Sequence, residues 1–181
     1  MNLTFSTISN FVQSILVLSS FIALHPALGA GNFITALGGY RANVLIQQAS
    51  LNKSFFEHIS YGGRFERQIR SSHRVYLQYL YSGQEAVALD SFAPDFVDHD
   101  LSLGYKHLFA GGRFFLLLGA NYIRSSSLDP ANAFGGSAGG GLELRLLNRL
   151  LVGFTTQYIV VPTGNLQRRS FNQSVDLSFE L

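Results

Sequence analysis

His58, Ile59 and Ser60 put an imidazole and a hydroxyl two residues apart, and in an extended chain such residues project from one face. That pair is the start of a nucleophilic device: the ring takes the hydroxyl proton and the oxygen attacks a carbonyl, provided an acid orients the ring. Glu66 shares the face. Six residues at about 3.3 Å each separate it from Ser60 by roughly 20 Å, beyond the hydrogen-bond contact a triad requires. His58 and Ser60 are therefore catalytic candidates only if another strand supplies the acid, and the leading expectation is that the chain is not an enzyme.

Other chemistry is thinner. The sequence holds no Cys, which excludes disulfides, thiolate metal sites, thiol nucleophiles and a lipoprotein anchor. Its five His are scattered without metal-ligand spacing, so no metal is expected. Gly135-Gly136 and Gly139-Gly140-Gly141 lack the following Lys-Ser/Thr and the strand-to-helix setting of a phosphate loop. They read as strand glycines that permit close packing and curvature, and no cofactor is expected.

The elements that carry these residues are strands. Residues 137–161 form the plainest pair, two alternating arms folded back at Asn148 and Arg149. On the first arm Ala138, Gly140, Leu142, Leu144 and Leu146 oppose Ser137, Gly139, Gly141, Glu143 and Arg145; on the second, Leu150, Val152, Phe154, Thr156, Tyr158 and Val160 share a face. A period of two over this length marks a strand with one apolar and one polar side. The same alternation predicts a first strand near 34–44, with Ile34, Ala36, Gly38, Tyr40, Ala42 and Val44 against Thr35, Gly39, Arg41 and Asn43. It predicts a second over 54–67, with Phe55, Ile59, Tyr61 and Phe65 against His58, Ser60, Arg64 and Glu66. In the third, Val75, Leu77, Tyr79 and Tyr81 oppose Arg74, Tyr76, Gln78 and Ser82. In the fourth, Leu101, Leu103, Tyr105 and Phe109 oppose Asp100, Ser102, Gly104 and Lys106. The fifth, RFFLLLGANYI, is apolar on both sides until Asn121 opposes Ala120 and Tyr122. The last sets Phe171, Val175, Leu177, Phe179 and Leu181 against Asn172, Ser174, Asp176, Ser178 and Glu180.

Eight strands result. Short turns near 68–73, 110–113 and 147–149 interleave with longer connections near 46–53, 83–97, 124–136 and 162–170. In an up-and-down meander all short turns fall at one end and all long loops at the other, the asymmetry of outer-membrane barrels. Composition agrees: the 181 residues are 47% hydrophobic but only 13% charged, with 8 Tyr, 16 Phe and 18 Gly, a sparse charge for a water-facing surface. Thirteen basic and eleven acidic residues are dispersed, with no basic patch for nucleic acid. Residues 1–30 carry no Asp, Glu, Lys or Arg. Phe11 to Leu24 form an apolar stretch, Pro26 ends it, and Ala27-Leu28-Gly29-Ala30 offers small residues to a peptidase. This predicts a cleavable signal over 1–30 and a barrel domain over 31–181, the stretch being shorter than the roughly 20 residues of a spanning helix.

The fold class expected is all-β, an eight-stranded antiparallel up-and-down transmembrane barrel in the bacterial outer membrane. Its apolar face, with Tyr40, Tyr61, Tyr79, Tyr81, Tyr105, Tyr122 and Tyr158 toward strand ends, meets lipid. Glu57, His107 and Gln173 on that face are expected near strand ends, where polar groups cost little. The lumen receives Arg41, His58, Arg64, Glu66, Arg74, Asp100, Lys106, Arg113, Glu143, Arg145, Asp176 and Glu180. An eight-stranded bore is just wide enough to be filled by side chains, so these charges are expected to pair into a plug, since unpaired charges in a narrow dry space are costly. A thin water or ion path beside Gly104, Gly139 and Gly141 is the alternative. Phe92, Phe96, Arg168 and Arg169 are expected in outer loops, where they could meet lipopolysaccharide phosphates or a partner.

The segments LSLGYKHLF, FFLLLGANYI, AGGGLELRLLNRLLVGFTTQYIVV and the terminal SVDLSFEL resemble the small eight-stranded outer-membrane barrels of the OmpA, OmpX and opacity-protein type. The resemblance implies a closed barrel, lipid and lipopolysaccharide as surroundings, and insertion by the outer-membrane assembly machinery. That machinery commonly reads a C-terminal aromatic residue; here Leu181 is last and Phe179 stands two before it. Outer-membrane lipid A deacylases carry a His and Ser two apart on a barrel strand, which makes a lipid A-modifying enzyme built on His58 and Ser60 the alternative of a different class. The expectation carried forward is a monomeric, non-enzymatic barrel serving envelope integrity or surface interaction through its loops.

Overall fold

A computed structural model describes residues 31–47, 53–83, 97–126, 132–163 and 166–181. The segment read as a signal, and the loop residues Phe92 and Phe96, lie outside the described residues. Eight strands are formed: β1 Asn32–Gln47, β2 Lys53–Arg70, β3 His73–Gly83, β4 Val97–Phe109, β5 Phe114–Ser125, β6 Asn132–Arg145, β7 Leu150–Thr163 and β8 Leu166–Glu180. Each pairs antiparallel with its sequence neighbour, and β1 also pairs with β8, so the sheet closes into a barrel. Closure leaves no free strand edge among the described strands, so the ladder groups pair within the sheet, as a chain surrounded by lipid requires.

One end of the barrel carries tight turns at 71–72, 110–113 and 146–149. The termini of the barrel also meet there, where Leu181 N–H donates to Asn32 O at 2.9 Å. In the second turn Ala110, Gly111 and Gly112 take φ of 52°, 72° and 83°. Three consecutive left-handed residues make the reversal tight, and glycine accepts that conformation without the steric penalty of a Cβ. The other connections lie at the opposite, loop end.

Two of those connections are shorter than the sequence pattern implies. β6 begins at Asn132, so Gly135 and Gly136 stand in the ladder, opposite Asn121 and Ala120 of β5. β7 runs to Thr163 and β8 starts at Leu166, with Thr163 paired to Leu166. The polar run of Gln167, Arg168 and Ser170 looks like a loop only if strands are assumed to need apolar residues. In a barrel with a polar interior, Arg168 and Ser170 are inward strand residues.

The faces are inverted relative to a water-soluble protein. Ile59, Leu103, Leu118, Phe134 and Val175 are exposed on the outer surface, while Arg41, Asp98, Asp100 and Arg168 are fully buried inside. Such an outer surface suits a hydrocarbon surround. Its aromatic residues gather toward both ends of β2 to β5. Toward the loop end of β3 and β4 Tyr79 hydrogen-bonds His99 at 2.7 Å, and the Tyr81 ring lies 5.1 Å from that of Tyr61, which stands in mid β2. At the turn end Tyr105, His107, Phe109 and Phe114 form a row of neighbouring rings, stacked at its two ends and tilted between His107 and Phe109. Tyr40 departs from that arrangement. It sits in mid-strand opposite Gln173, which is opposite Thr156 in turn. Gln173 therefore belongs to a polar row in the middle of the wall and not to a rim. Glu57 is exposed nearby, opposite Ala42 of β1.

Candidate functional site

The residues with chemical potential converge on the lumen because alternate positions of every strand point there. Around the turn-end half, Glu66 of β2 is the hub. Lys106 Nζ donates to both of its carboxylate oxygens, at 3.0 and 3.1 Å. Arg74 Nη1 reaches it at 3.0 Å and Arg64 Nη1 at 3.3 Å. Lys106 and Arg74 also bind Glu143 of β6, at 2.6 and 3.0 Å. Arg64 continues to Asp176 of β8 at 3.3 Å, whose carboxylate accepts from Ser174 at 2.7 Å and from Thr155. Three cations thus face three carboxylates. The guanidinium carbon of Arg74 lies 3.8 Å over the Phe33 ring, and Lys106 Nζ 4.3 Å over Phe115, so the cations also meet the negative faces of rings.

The loop-end half is built differently. Arg168 of β8 forms a two-pronged pair with Asp98 of β4, one contact at 2.9 Å, and donates to Asn43 at 2.8 and 3.1 Å. Arg41 pairs with Asp100 at 2.5 Å and donates to Ser82 at 3.2 Å. Asp100 further accepts from Ser102 at 2.9 Å and Asn121 at 3.0 Å. Two cations face two carboxylates here, within a shell of amides and hydroxyls. Between the halves, Arg64 donates to Gln78 at 2.8 Å, Gln78 to Gln157 at 3.3 Å and Gln157 to Ser137 at 2.9 Å.

His58 and Ser60 fall inside this second half, at 4% and 1% exposure. Neither addresses the other. The Ser60 hydroxyl donates to Asn172 at 2.8 Å, and His58 Nε2 is engaged by Asn43. Glu66 is committed to three cations in the other half. A nucleophilic Ser needs its hydroxyl on the imidazole, and this Ser has spent it on an amide.

Of the residues assigned to the lumen from sequence, Arg41, His58, Arg64, Glu66, Arg74, Asp100, Lys106, Glu143 and Asp176 are all buried inside. Arg113 stands on the 110–113 turn, exposed, because the strand that would aim it inward begins one residue later. Arg145 and Glu180 form an ion pair of 2.8 Å at the turn-end mouth, Arg145 being 52% exposed. Arg168, expected in an outer loop, is inside, and its neighbour Arg169 points outward from β8. Asp98, its partner, is missing from the lumen set read from sequence although it shares the parity of Asp100, because β4 starts at Val97, three residues before Asp100.

Neighbouring atoms stand close to the wall glycines. A Cβ on Gly104 would stand 2.5 Å from the Tyr76 ring, and one on Gly119 2.5 Å from the Tyr76 hydroxyl. These two glycines face each other across β4 and β5 and form the niche in which Tyr76 lies. Phe115 occupies the space at Gly141, and the β7 backbone that at Gly139. Two apolar clusters are buried inside the barrel: Tyr76, Leu108, Phe115 and Leu117 toward the turn end, and Ile123, Ala133, Ile159 and Val161 toward the loop end. Among the described residues no group of three His, Asp or Glu is placed to hold a metal ion.

No protein-family model matches the chain, and no curated protein matches it in sequence. Solved structures do. Neisserial surface protein A covers 85% of this chain and 100% of its own, at 14% identity and a TM-score of 0.64. OprG from Pseudomonas aeruginosa covers 84% and 96%, at 13% identity and 0.56. Ail, the attachment invasion locus protein of Yersinia pestis, solved in complex with the heparin analogue sucrose octasulfate, covers 82% and 99%, at 14% identity and 0.53. At such identities the likeness is one of fold.

Proposed function

From the fold of small outer-membrane barrels, which this chain shares, we propose that it is a non-enzymatic barrel of the bacterial outer membrane whose lumen is a plug and whose role is exercised at its surface. The carrying observation is the charge balance of the bore. Among the described residues, three cations against three carboxylates in one half and two against two in the other leave no surplus charge to draw ions through. The engagement of the Ser60 hydroxyl by Asn172 supports a non-catalytic reading.

What remains for function is the outside: envelope integrity, through contact with lipids and lipopolysaccharide, or surface interaction through the outer connections. Two of the similar barrels support the latter, one a surface protein and the other an attachment invasion locus protein seen with a heparin analogue. The chain works as a monomer, since a closed sheet offers no edge for strand addition, and it reaches the membrane through the assembly machinery.

Planar-bilayer recording of the purified, folded barrel tests this reading. The expected result is a silent bilayer from protein that fractionates with the outer membrane and shows heat-modifiable migration. Conductance steps in proportion to inserted protein would overturn the plug.

A further inference from the structure

On the outer wall at the turn end, His73 of β3 stands directly opposite His107 of β4. Their rings lie 4.9 Å apart and their Nδ1 atoms 3.4 Å apart. The Tyr105 hydroxyl, two residues before His107 on the same face, also contacts His73 Nδ1. Three donor atoms from two strands therefore gather on one patch of the outer wall, a cluster the plug does not use.

Hydrogen bonding alone serves this arrangement poorly. A neutral ring nitrogen offers one proton or one lone pair, yet His73 Nδ1 is addressed by two partners. A shared cation would satisfy all three. Two nitrogens bound at 2.0 to 2.1 Å on a tetrahedral ion stand about 3.3 to 3.4 Å apart, whereas adjacent ligands of a square-planar ion stand at about 2.9 Å. The observed 3.4 Å is such a tetrahedral edge, and the Tyr105 oxygen, which lies closer to His73 Nδ1 than an edge allows, has to swing outward by side-chain rotation to take its place on the ion. Imidazole is a ligand that suits zinc, and the ladder between β3 and β4 sets the two histidines opposite each other before any ion arrives.

We infer that His73, His107 and Tyr105 form a site for a tetrahedral divalent transition-metal ion, zinc by its geometry, at the turn-end rim of the barrel. Both imidazoles bind through Nδ1 and the Tyr105 oxygen supplies the third donor, leaving one position to water or a lipid headgroup. The ion ties β3 to β4 beside the 71–72 turn.

The test uses the whole folded barrel, without a histidine tag, in detergent micelles. Zinc chloride is titrated by calorimetry, and cobalt(II) serves as an optical probe because a tetrahedral site gives it intense visible absorption. One equivalent should bind. His73→Ala and His107→Ala should each abolish the cobalt spectrum, and Tyr105→Phe should weaken zinc by about tenfold or more. His99→Ala, at the far end of β4, should leave binding unchanged. Heat-modifiable migration shows that each variant is folded. An absent cobalt spectrum in the parent, or binding that survives in either His variant, overturns the site.

Discussion

The two halves of the lumen answer the same problem, charge inside a narrow barrel, in opposite ways. In the turn-end half the carboxylates are shared: Glu66 meets Lys106, Arg74 and Arg64, and Glu143 meets two of the same cations. In the loop-end half the pairs are nearly private, Arg168 with Asp98 and Arg41 with Asp100, and other bonds of these four go to Asn43, Ser125, Asn121, Ser82 and Ser102. Shared charges fail together, because removing a hub strands several buried partners. Private pairs cushioned by amides and hydroxyls fail singly. The difference places the mechanical anchor of the barrel beside the tight turns and the more forgiving polar fill beneath the loops.

Substituting the hub should cost most. Glu66→Gln keeps the shape but leaves Lys106, Arg74 and Arg64 with one anion fewer, and breaking a buried network in this way costs about 3 to 5 kcal/mol. The expected readout is a marked fall in the urea midpoint of the detergent-folded barrel. An unchanged midpoint would erase the distinction between the halves.

Arg168→Met should cost less, about 2 to 3 kcal/mol. Asp98 keeps Arg41 4.0 Å away as a second cation. Pairing Arg168→Met with Asp98→Asn in a double-mutant cycle sharpens the comparison: the double variant should be clearly less destabilised than the two single losses summed. Additive losses would show that the pair is not coupled.

Gly104→Ala probes the wall between the halves. The new Cβ would meet Leu118 O at 2.3 Å and the Tyr76 ring at 2.5 Å, and overpacking of this kind costs about 1 to 3 kcal/mol. A faster unfolding rate in urea, with the heat-modifiable shift retained, is the expected result.

The smallest effect is expected at the mouth. Arg145→Ala removes the half-exposed pair with Glu180, and such pairs contribute about 0 to 1 kcal/mol. Its midpoint should be close to that of the parent. A loss as large as that of Glu66→Gln would mean that the turn-end network extends through the rim.

Much of this was legible in the chain. The alternation of Leu142, Leu144, Val152 and Phe154 with Glu143 and Thr155 announces strands, and Leu177 and Phe179 set against Asp176 and Ser178 place the closing strand with its faces assigned. Even the lumen set follows largely from parity, since Arg41, Arg64, Glu66, Arg74 and Lys106 all fall on the polar side. Arg168 and Asp98 escaped because polar residues next to turn-formers look like loop, and in a sequence that resemblance is stronger than parity. Arg113 erred the other way, counted with a strand that starts at Phe114. The row of Tyr40, Gln173 and Thr156 was invisible for a different reason: it is a neighbour relation across three strands.

The sequence by itself determined the strands, their number, and which side of each is polar, because a period of two is written into neighbouring residues. Only the closed barrel decided which cation meets which carboxylate. Arg168 and Asp98 are 70 residues apart, Arg74 and Glu143 are 69, and Arg64 and Asp176 are 112. Their meetings depend on the stagger with which β1 joins β8, a property of the whole sheet that no local run of residues contains. The same holds for His73 and His107, brought face to face by the β3 and β4 register.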